Sequence, residues 1–318
     1  MLGLETTVSI GQQASAADPT TLARQSLNVY SITGGQGENF VDDEILGGGL
    51  NNASDPTAPA PGLDDHKITI KFPLCIAQAP WWMAAFFGAE VASGTTPDYE
   101  HLWASGQALP YIFLEHKMQT GRYRRHFGLV GESLTIDLDS EREGFAQCEA
   151  TFVGLKEVKN SAALTGVVTA APTLDRPAAK LCSVIYNSVA GGDLIGGKFT
   201  FARKLKRYRA ADGTGTPYSV EQSGKSTLTG TLRTRCRADT FYDDGVGQVE
   251  RALQLKLLKS SVRGMKFDLP HMRINRTPID INGADEIEQN YEFRAWQTTA
   301  DAVLSATALS GSATIAFS

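Results

Sequence analysis

Several features of secreted, membrane and metal-binding proteins are scarce in this chain of 318 residues. It has only four cysteines, Cys75, Cys148, Cys182 and Cys236, and no two form a Cys-x-x-Cys pair. A disulfide framework or a cysteine-based zinc site is therefore not expected, and free thiols indicate a reducing compartment. The sequence also lacks a run of about 20 apolar residues. Its start is neither basic nor followed by an apolar core, so it predicts no membrane helix and no secretory signal.

Charge is also modest, and its balance argues against tight nucleic-acid binding. Charged residues make up 20% of the chain, and the formal net charge is −5. Non-specific binding to DNA depends on a basic surface that neutralises phosphates. A mildly acidic protein is expected to let DNA pass without holding it.

The residue patterns that usually carry catalysis are missing as well. Residues 224–227 (GKST) resemble the end of a phosphate-binding loop, but position 219, where that loop needs a glycine, holds Ser219. No Gly-x-Ser-x-Gly motif occurs, and none of the five histidines lies two or four residues from another. The Asp-Asp pairs at 42–43, 64–65 and 243–244 suit turns and lack EF-hand spacing. We therefore expect no catalytic residue, no cofactor and no metal, and predict that the protein is not an enzyme.

The clearest positive signal is the two-residue period of β-strands. Apolar and polar residues alternate in 134–138 and in 146–152, on either side of a turn at 140–144, which predicts a β-hairpin. Further strands are predicted at 66–74, 109–117, 225–237, 265–269 and 286–296. The strand at 265–269 is expected to stop at Pro270, because proline cannot donate a ladder hydrogen bond.

Three segments are predicted to be short helices. Pro80 suits the first turn of a helix, Gly88 suits the position after its end, and the residues between them are apolar almost all round. Such a helix has to be covered on more than one side. Weaker helical patterns occur at 20–27 and 247–258, and residues 211–224 are expected to form a long turn.

These patterns together predict ten to twelve strands with two or three short helices. That content is typical of an all-β or β-dominated α+β fold, either a sandwich or a barrel with a short flanking helix. We expect a single elaborated domain over residues 1–318. The featureless residues 160–180 leave room for two halves, 1–160 and 180–318.

Two segments are candidates for contacts between subunits. Residues 34–65 form a long loop rich in glycine and proline, with Gly47, Gly48 and Gly49 in a row. Loops of this length are usually functional, disordered or ordered by a partner, and we favour the last. The small-residue tail, 299–318, is expected to be poorly ordered in an isolated subunit.

A charge pattern supplies the remaining candidate contact residues. Acidic residues gather near the turn of the predicted hairpin, and basic residues alternate along a later strand: Asp137, Asp139 and Glu141, and Arg233, Arg235 and Arg237. One reading is a pair of solvated faces. The other is pairing between acidic and basic edges of neighbouring subunits, which would set their register.

Four stretches resemble the major tail tube protein of long-tailed (siphovirus-type) bacteriophages. They are the polar start with its Gly/Pro loop, the segment WWMAAFFGAE, the hairpin around LTIDLDSEREGFAQCEATF, and the late block from MKFDLPHMRI to YEFRAW. The resemblance implies a tail-tube β-sandwich whose subunits join edge to edge into a ring, usually a hexamer. It implies stacked rings around a tape measure protein, bounded by a tail terminator and by baseplate or tip proteins, and later crossed by DNA.

The resemblance also implies a location, the virion tail, with assembly in the host cytoplasm. Two other functions remain open: a different ring component of a virion or injection machine, and a β-sandwich carbohydrate-binding or adhesin module. The last would need exposed aromatic side chains on one strand face, whereas most aromatic residues here fall at buried positions or in the predicted helix. Ring symmetry is open between a hexamer and a trimer of duplicated halves.

Overall fold

The fold was described from a computed structural model of the chain. It describes residues 6–17, 19–41, 58–95, 98–106, 109–141, 143–190, 193–211, 215–236, 239–278 and 287–310. The elements up to residue 160 are β1 (Thr7–Gln13), β2 (Arg24–Leu27), β3 (Ser31–Val41), β4 (Ala60–Pro73), α1 (Ala79–Phe87), β5 (Val91–Thr95), β6 (Asp98–Ala104), β7 (Tyr111–Gln119), β8 (Arg122–Asp139), β9 (Gln147–Val153) and β10 (Lys156–Asn160). Those after it are β11 (Val168–Thr169), a 3₁₀ turn (Ala179–Leu181), β12 (Cys182–Tyr186), β13 (Val189–Ala190), β14 (Leu194–Ala202), β15 (Leu205–Arg209), β16 (Pro217–Gln222), β17 (Thr227–Arg235), α2 (Thr240–Gly247), β18 (Arg251–Ser260), β19 (Arg263–Ile274), β20 (Glu288–Ala295) and β21 (Ser305–Ser310).

Most of the strands form one antiparallel main sheet. Its order is β3-β4-β9-β8-β14-β17-β20-β19-β18-β12-β13. On one side β19 has two partners in succession: β21 pairs with residues 264–268 and β20 with residues 272–274. Strand β21 continues to β6 and β5. Strands from before residue 160 and from after residue 180 are therefore direct neighbours in the same sheet.

The 18-residue strand β8 belongs to two sheets. Its second half lies in the main sheet, and its first half pairs with β7 and β10 in a smaller sheet of order β11-β2-β1-β7-β8-β10. Gly128 lies near the change of partners with φ +62°, a conformation that favours glycine, and a Cβ there would meet the Leu155 side chain at 2.6 Å. Glycine at this point lets one strand serve both sheets.

Helix α1 packs against the inner face of the main sheet. Pro80 lies in its first turn, and Gly88 ends it with φ +85°. Trp82 stacks on Phe72 of β4, with ring centroids 4.2 Å apart, and Phe86 contacts Phe152 of β9 at 5.1 Å. The predicted helix is confirmed, and eight of its nine residues are buried, as an apolar surface on all sides requires. No described helix is both long and apolar enough to span a bilayer.

The β-dominated fold class is confirmed, as is the hairpin formed by β8 and β9. The helix predicted at residues 20–27 is wrong, because Arg24–Leu27 form β2 between β1 and β11. The loop predicted at 34–65 is also largely strand. Residues 34–41 continue β3 and residues 60–65 begin β4, so backbone pairing in a hairpin overrides the glycine and proline content there.

Three errors in the second half have separate physical causes. The helix predicted at 247–258 is instead mostly β18, where Leu253, Leu255 and Leu257 are all buried with a period of two. Strand β19 runs through Pro270, which lies between the partners β21 and β20 and beside a bulge against β18, where a missing N–H is tolerated. The long turn predicted at 211–224 includes β16.

Two further predictions, on the tail and on the number of strands, are also wrong. The tail prediction is wrong for residues 305–310, which form β21 with four buried residues. The strand number was too low, because several strands are too short to show periodicity.

Candidate functional site

Four of the predicted contact residues meet in one charged cluster at the ends of β8, β17 and β20. Strand β14 lies between β8 and β17, and its residue Gly196 is the register partner of both Asp139 and Arg233. Those two residues are thus two strand spacings apart, about 10 Å between their backbones. Because Gly196 carries no side chain, the Arg233 guanidinium reaches across it, and Nη1 lies 3.0 Å from Asp139 Oδ2.

Arg233 also binds acidic groups on its other side. Its Nη2 donates to Glu288 Oε2 at 2.7 Å and lies 3.3 Å from Glu141 Oε2, while Glu141 Oε1 accepts a hydrogen bond from Arg235. The hydrogen bonds to Glu288 are the largest cause that raises the pKa of Arg233. The negative charges of Glu288 and Asp139 raise it further. About a third of the Arg233 side chain is exposed, so each pair stabilises the fold by about 1 kcal/mol or less.

In the structure, acidic and basic residues of the two predicted runs therefore form ion pairs within one chain. Asp139, Glu141, Arg233 and Arg235 contact one another, and Asp137 lies opposite Lys198 of β14 in the strand register. Pairing across a subunit boundary is therefore not needed to account for these charges. The other predicted contact residues, Gly47, Gly48, Gly49 and Arg237, lie outside the described residues.

The distal half of the β3–β4 hairpin is a more open surface, and we call residues 36–41 and 60–65 the arm. Strand β9 pairs with β4 only from Lys67 onward, so in the arm β4 has β3 as its only strand partner among the described residues. Three apolar side chains stand in solvent there: Phe40 is 72% exposed, Leu63 62% and Val41 56%. Because successive residues of a strand face opposite sides, Phe40 and Val41 lie on opposite faces of the arm, so apolar side chains are exposed on both faces.

Arginines of the β15–β16 hairpin brace the root of the arm. Arg207 Nε donates to the Gly154 carbonyl at 3.1 Å, its Nη2 donates to the His66 carbonyl, and its Nη1 pairs with Asp65. Arg209 Nη2 donates to the Asp64 carbonyl at 2.7 Å. These guanidinium groups donate to the Gly154, His66 and Asp64 carbonyls, and the His66 carbonyl also accepts the Gly154 N–H at 3.0 Å. Sequence reasoning could not find these contacts, because they join residues 53 to 145 positions apart.

A second open surface is the edge strand β5. All five of its residues are exposed, and within the described part of the chain it pairs only with β6. Its Val91 is 59% exposed and lies opposite Leu102, which is 39% exposed. Unpaired edges of this kind promote association with further strands.

The segment 224–227 does not have the geometry of a phosphate loop. It links β16 to β17, and Thr227 begins a strand rather than the helix whose N-terminus would bind phosphate. The likeness of residues 224–227 to a phosphate-binding loop is therefore a coincidence of sequence.

Comparison with known proteins gives one informative result. No curated protein matches the chain significantly. The sequence profile of a family described as phage tail tube protein matches residues 2–295, which cover almost all elements of both sheets and end with β20. The chain therefore belongs to the phage tail tube protein family, a family of structural proteins of the virion tail.

Proposed function

We propose that the chain is the self-assembling subunit of a siphovirus-type tail tube, forming rings, hexameric in the simplest case, that stack into a hollow tube for DNA delivery. The arm is the observation that carries this proposal. It presents Phe40, Val41 and Leu63 to solvent on paired strands, where a monomer gains nothing from exposing them.

The dimensions of the arm suit contact with a neighbouring subunit. Six residues of β4 precede His66 in the arm, and at about 3.3 Å per residue they span about 20 Å. That reach exceeds the spacing of several strands, so the arm can cross a subunit boundary while its root stays fixed by Arg207 and Arg209. We propose that Gly47, Gly48 and Gly49, which lie between β3 and β4 in the sequence, take part in the same contact.

Ring closure gives the edge strand β5 a partner. Strand addition between subunits supplies main-chain hydrogen bonds, and a closed ring leaves no edge free. A net charge of −5 per chain repels phosphate, which suits a conduit that DNA crosses without specific binding. The further partners are a tape measure protein inside the tube, a tail terminator and baseplate or tip proteins at its ends, after assembly in the host cytoplasm.

A carbohydrate-binding or adhesin role finds less support. Among the described residues, the exposed Tyr and Phe side chains are Tyr30, Phe40, Phe145 and Tyr218. Tyr30 and Phe145 both contact Arg176, whose guanidinium lies 4.1 Å from the centre of the Phe145 ring. The arginine covers that face of the ring, so it is not open for stacking on a sugar.

Electron microscopy over a concentration series tests the proposal. Wild-type protein should form rings or tubes, while the double variant Phe40→Ser/Leu63→Ser should remain a folded monomer because the arm no longer buries apolar surface. Val167→Ser is the matched control, since Val167 is 73% exposed and outside the arm. Wild-type protein that stays monomeric at every concentration would contradict self-assembly. Normal tubes from the double variant would contradict the proposed role of the arm, but they would not contradict self-assembly.

A further inference from the structure

Three histidines far apart in sequence form one hydrogen-bonded row beside the root of the arm, with their rings joined edge to edge. His66 Nε2 lies 3.0 Å from His126 Nδ1, and His126 Nε2 lies 3.2 Å from His116 Nδ1. The ring centroids are 5.2 Å and 5.1 Å apart in the two pairs, with the planes nearly parallel. The residues come from β4, β8 and β7, so the histidine row joins the main sheet to the smaller sheet.

A carboxylate completes this cluster. Glu157 of β10 places Oε2 4.0 Å from His126 Nδ1, and ligand atoms of His66, His126 and Glu157 all lie within 4.8 Å of one another. The two histidine side chains are buried, and that of Glu157 is 14% exposed. Two imidazoles and a carboxylate that converge at low exposure are a common ligand set for zinc.

We propose that His66, His126 and Glu157 bind one divalent transition-metal ion, with Zn²⁺ the best match. Zinc takes imidazole nitrogen and carboxylate oxygen at about 2.0–2.2 Å, so tetrahedral ligands lie about 3.3 Å apart. The separations of 3.0 Å and 4.0 Å bracket that value. In the absence of an ion, His66 Nε2 and His126 Nδ1 face each other along one hydrogen bond, so binding requires both rings to turn until their lone pairs meet at the ion together with Glu157 Oε2.

The surrounding contacts orient these ligands. With the proton on Nε2, His126 donates to His116 Nδ1, the outer hydrogen bond that ligating histidines usually make, and keeps a lone pair on Nδ1, the atom that contacts His66 Nε2 when no metal is bound. Glu157 Oε2 accepts the Gln36 N–H at 3.0 Å and keeps a second lone pair.

One nearby group opposes the ion and supplies a sharp test. Arg124 Nη1 donates to Glu157 Oε1 at 2.7 Å, so its positive charge both competes for the carboxylate and repels a cation. Removing that charge in Arg124→Gln should tighten metal binding, whereas a merely structural cluster would gain nothing from the change. Because His66 lies where the arm leaves the main sheet, a bound ion would fix the arm root to β8 and β10.

The experiment uses the full chain, free of any affinity tag and treated with a chelator. Zn²⁺ titrated by calorimetry should bind at one ion per chain, and Co²⁺ should give the intense visible bands of tetrahedral coordination. Zn²⁺ at about 100 times its Kd should raise Tm by about 5 °C. Arg124→Gln should lower the Kd.

Two variants and one control decide the assignment. His126→Gln and Glu157→Gln should each weaken binding at least about tenfold, and the Glu157 variant keeps the test open if His126→Gln fails to fold. His271→Gln is the matched control, since His271 also lies beside two carboxylates, on Glu250 and Asp301, but outside the cluster. The absence of saturable binding to wild type overturns the proposal. So does wild-type affinity in Glu157→Gln, or a loss of binding in His271→Gln.

Discussion

Replacing Glu115 with glutamine should lower the free energy of unfolding by about 3–5 kcal/mol, because it leaves a buried arginine without its counter-charge. Glu115 of β7 is 5% exposed and pairs with Arg24 of β2, whose side chain is 1% exposed. Its Oε2 also accepts Arg125 Nε at 3.1 Å and the Leu164 N–H at 2.8 Å. Glutamine removes the charge and turns one acceptor into a donor that faces donors.

The assay is urea unfolding followed by fluorescence, at a protein concentration below assembly. Glu149→Gln is the matched control, since Glu149 is 43% exposed and pairs with Lys71 at 3.6 Å. This substitution should lower the free energy of unfolding by less than about 1 kcal/mol. A double variant, Arg24→Met/Glu115→Leu, should recover part of the stability, because it removes both charges of the Arg24–Glu115 pair but leaves Arg125 Nε and the Leu164 N–H without their acceptor. Equal losses in Glu115→Gln and Glu149→Gln would refute the reasoning by showing that water solvates Arg24.

Two further predictions concern pH and the charged cluster. His271 Nε2 lies 2.9 Å from Asp301 Oδ2 and Nδ1 lies 2.6 Å from Glu250 Oε1, and these hydrogen bonds raise its pKa above the usual 6.5. Its stabilisation is therefore complete below about pH 6.5 and disappears as pH rises through the folded-state pKa, so the Tm advantage of wild type over His271→Gln should shrink between about pH 6 and 8. The double variant Arg233→Glu/Arg235→Glu should lower Tm yet still assemble, since both arginines have partners in their own chain. Blocked assembly at unchanged Tm would instead support pairing between subunits.

The elements that sequence reasoning predicted correctly are those whose signal is local. The β8–β9 hairpin and β20 show strict alternation, and α1 is bounded by Pro80 and Gly88, so neighbouring residues alone determine each assignment. Strand β18 was missed because Val249, Leu253 and Leu257 also fit a helical period. The buried Leu255 decides in favour of the strand.

The clusters of side chains depended on strand order, which local patterns do not encode. Asp139 and Arg233 meet only because β14 lies between their strands with a glycine at the crossing point. The histidine row likewise joins residues 66, 116 and 126, and each of these looked isolated in the sequence. The contacts of Arg207 with the root of the arm also depend on the arrangement of strands, since they need the β15–β16 hairpin to lie beside β4.

The position of β21 has a consequence for synthesis on the ribosome. Strand β21 pairs with β6 on one side and β19 on the other, and its Ala306 and Ala308 are fully buried. Ser305 pairs with Ala104, about 200 residues earlier, so at about 5–20 residues per second β6 waits about 10–40 s for its partner. During that interval the edge of β6 that β21 later covers has no partner strand among the described residues already made. A nascent chain therefore cannot complete this part of its fold until residue 310 has been synthesised.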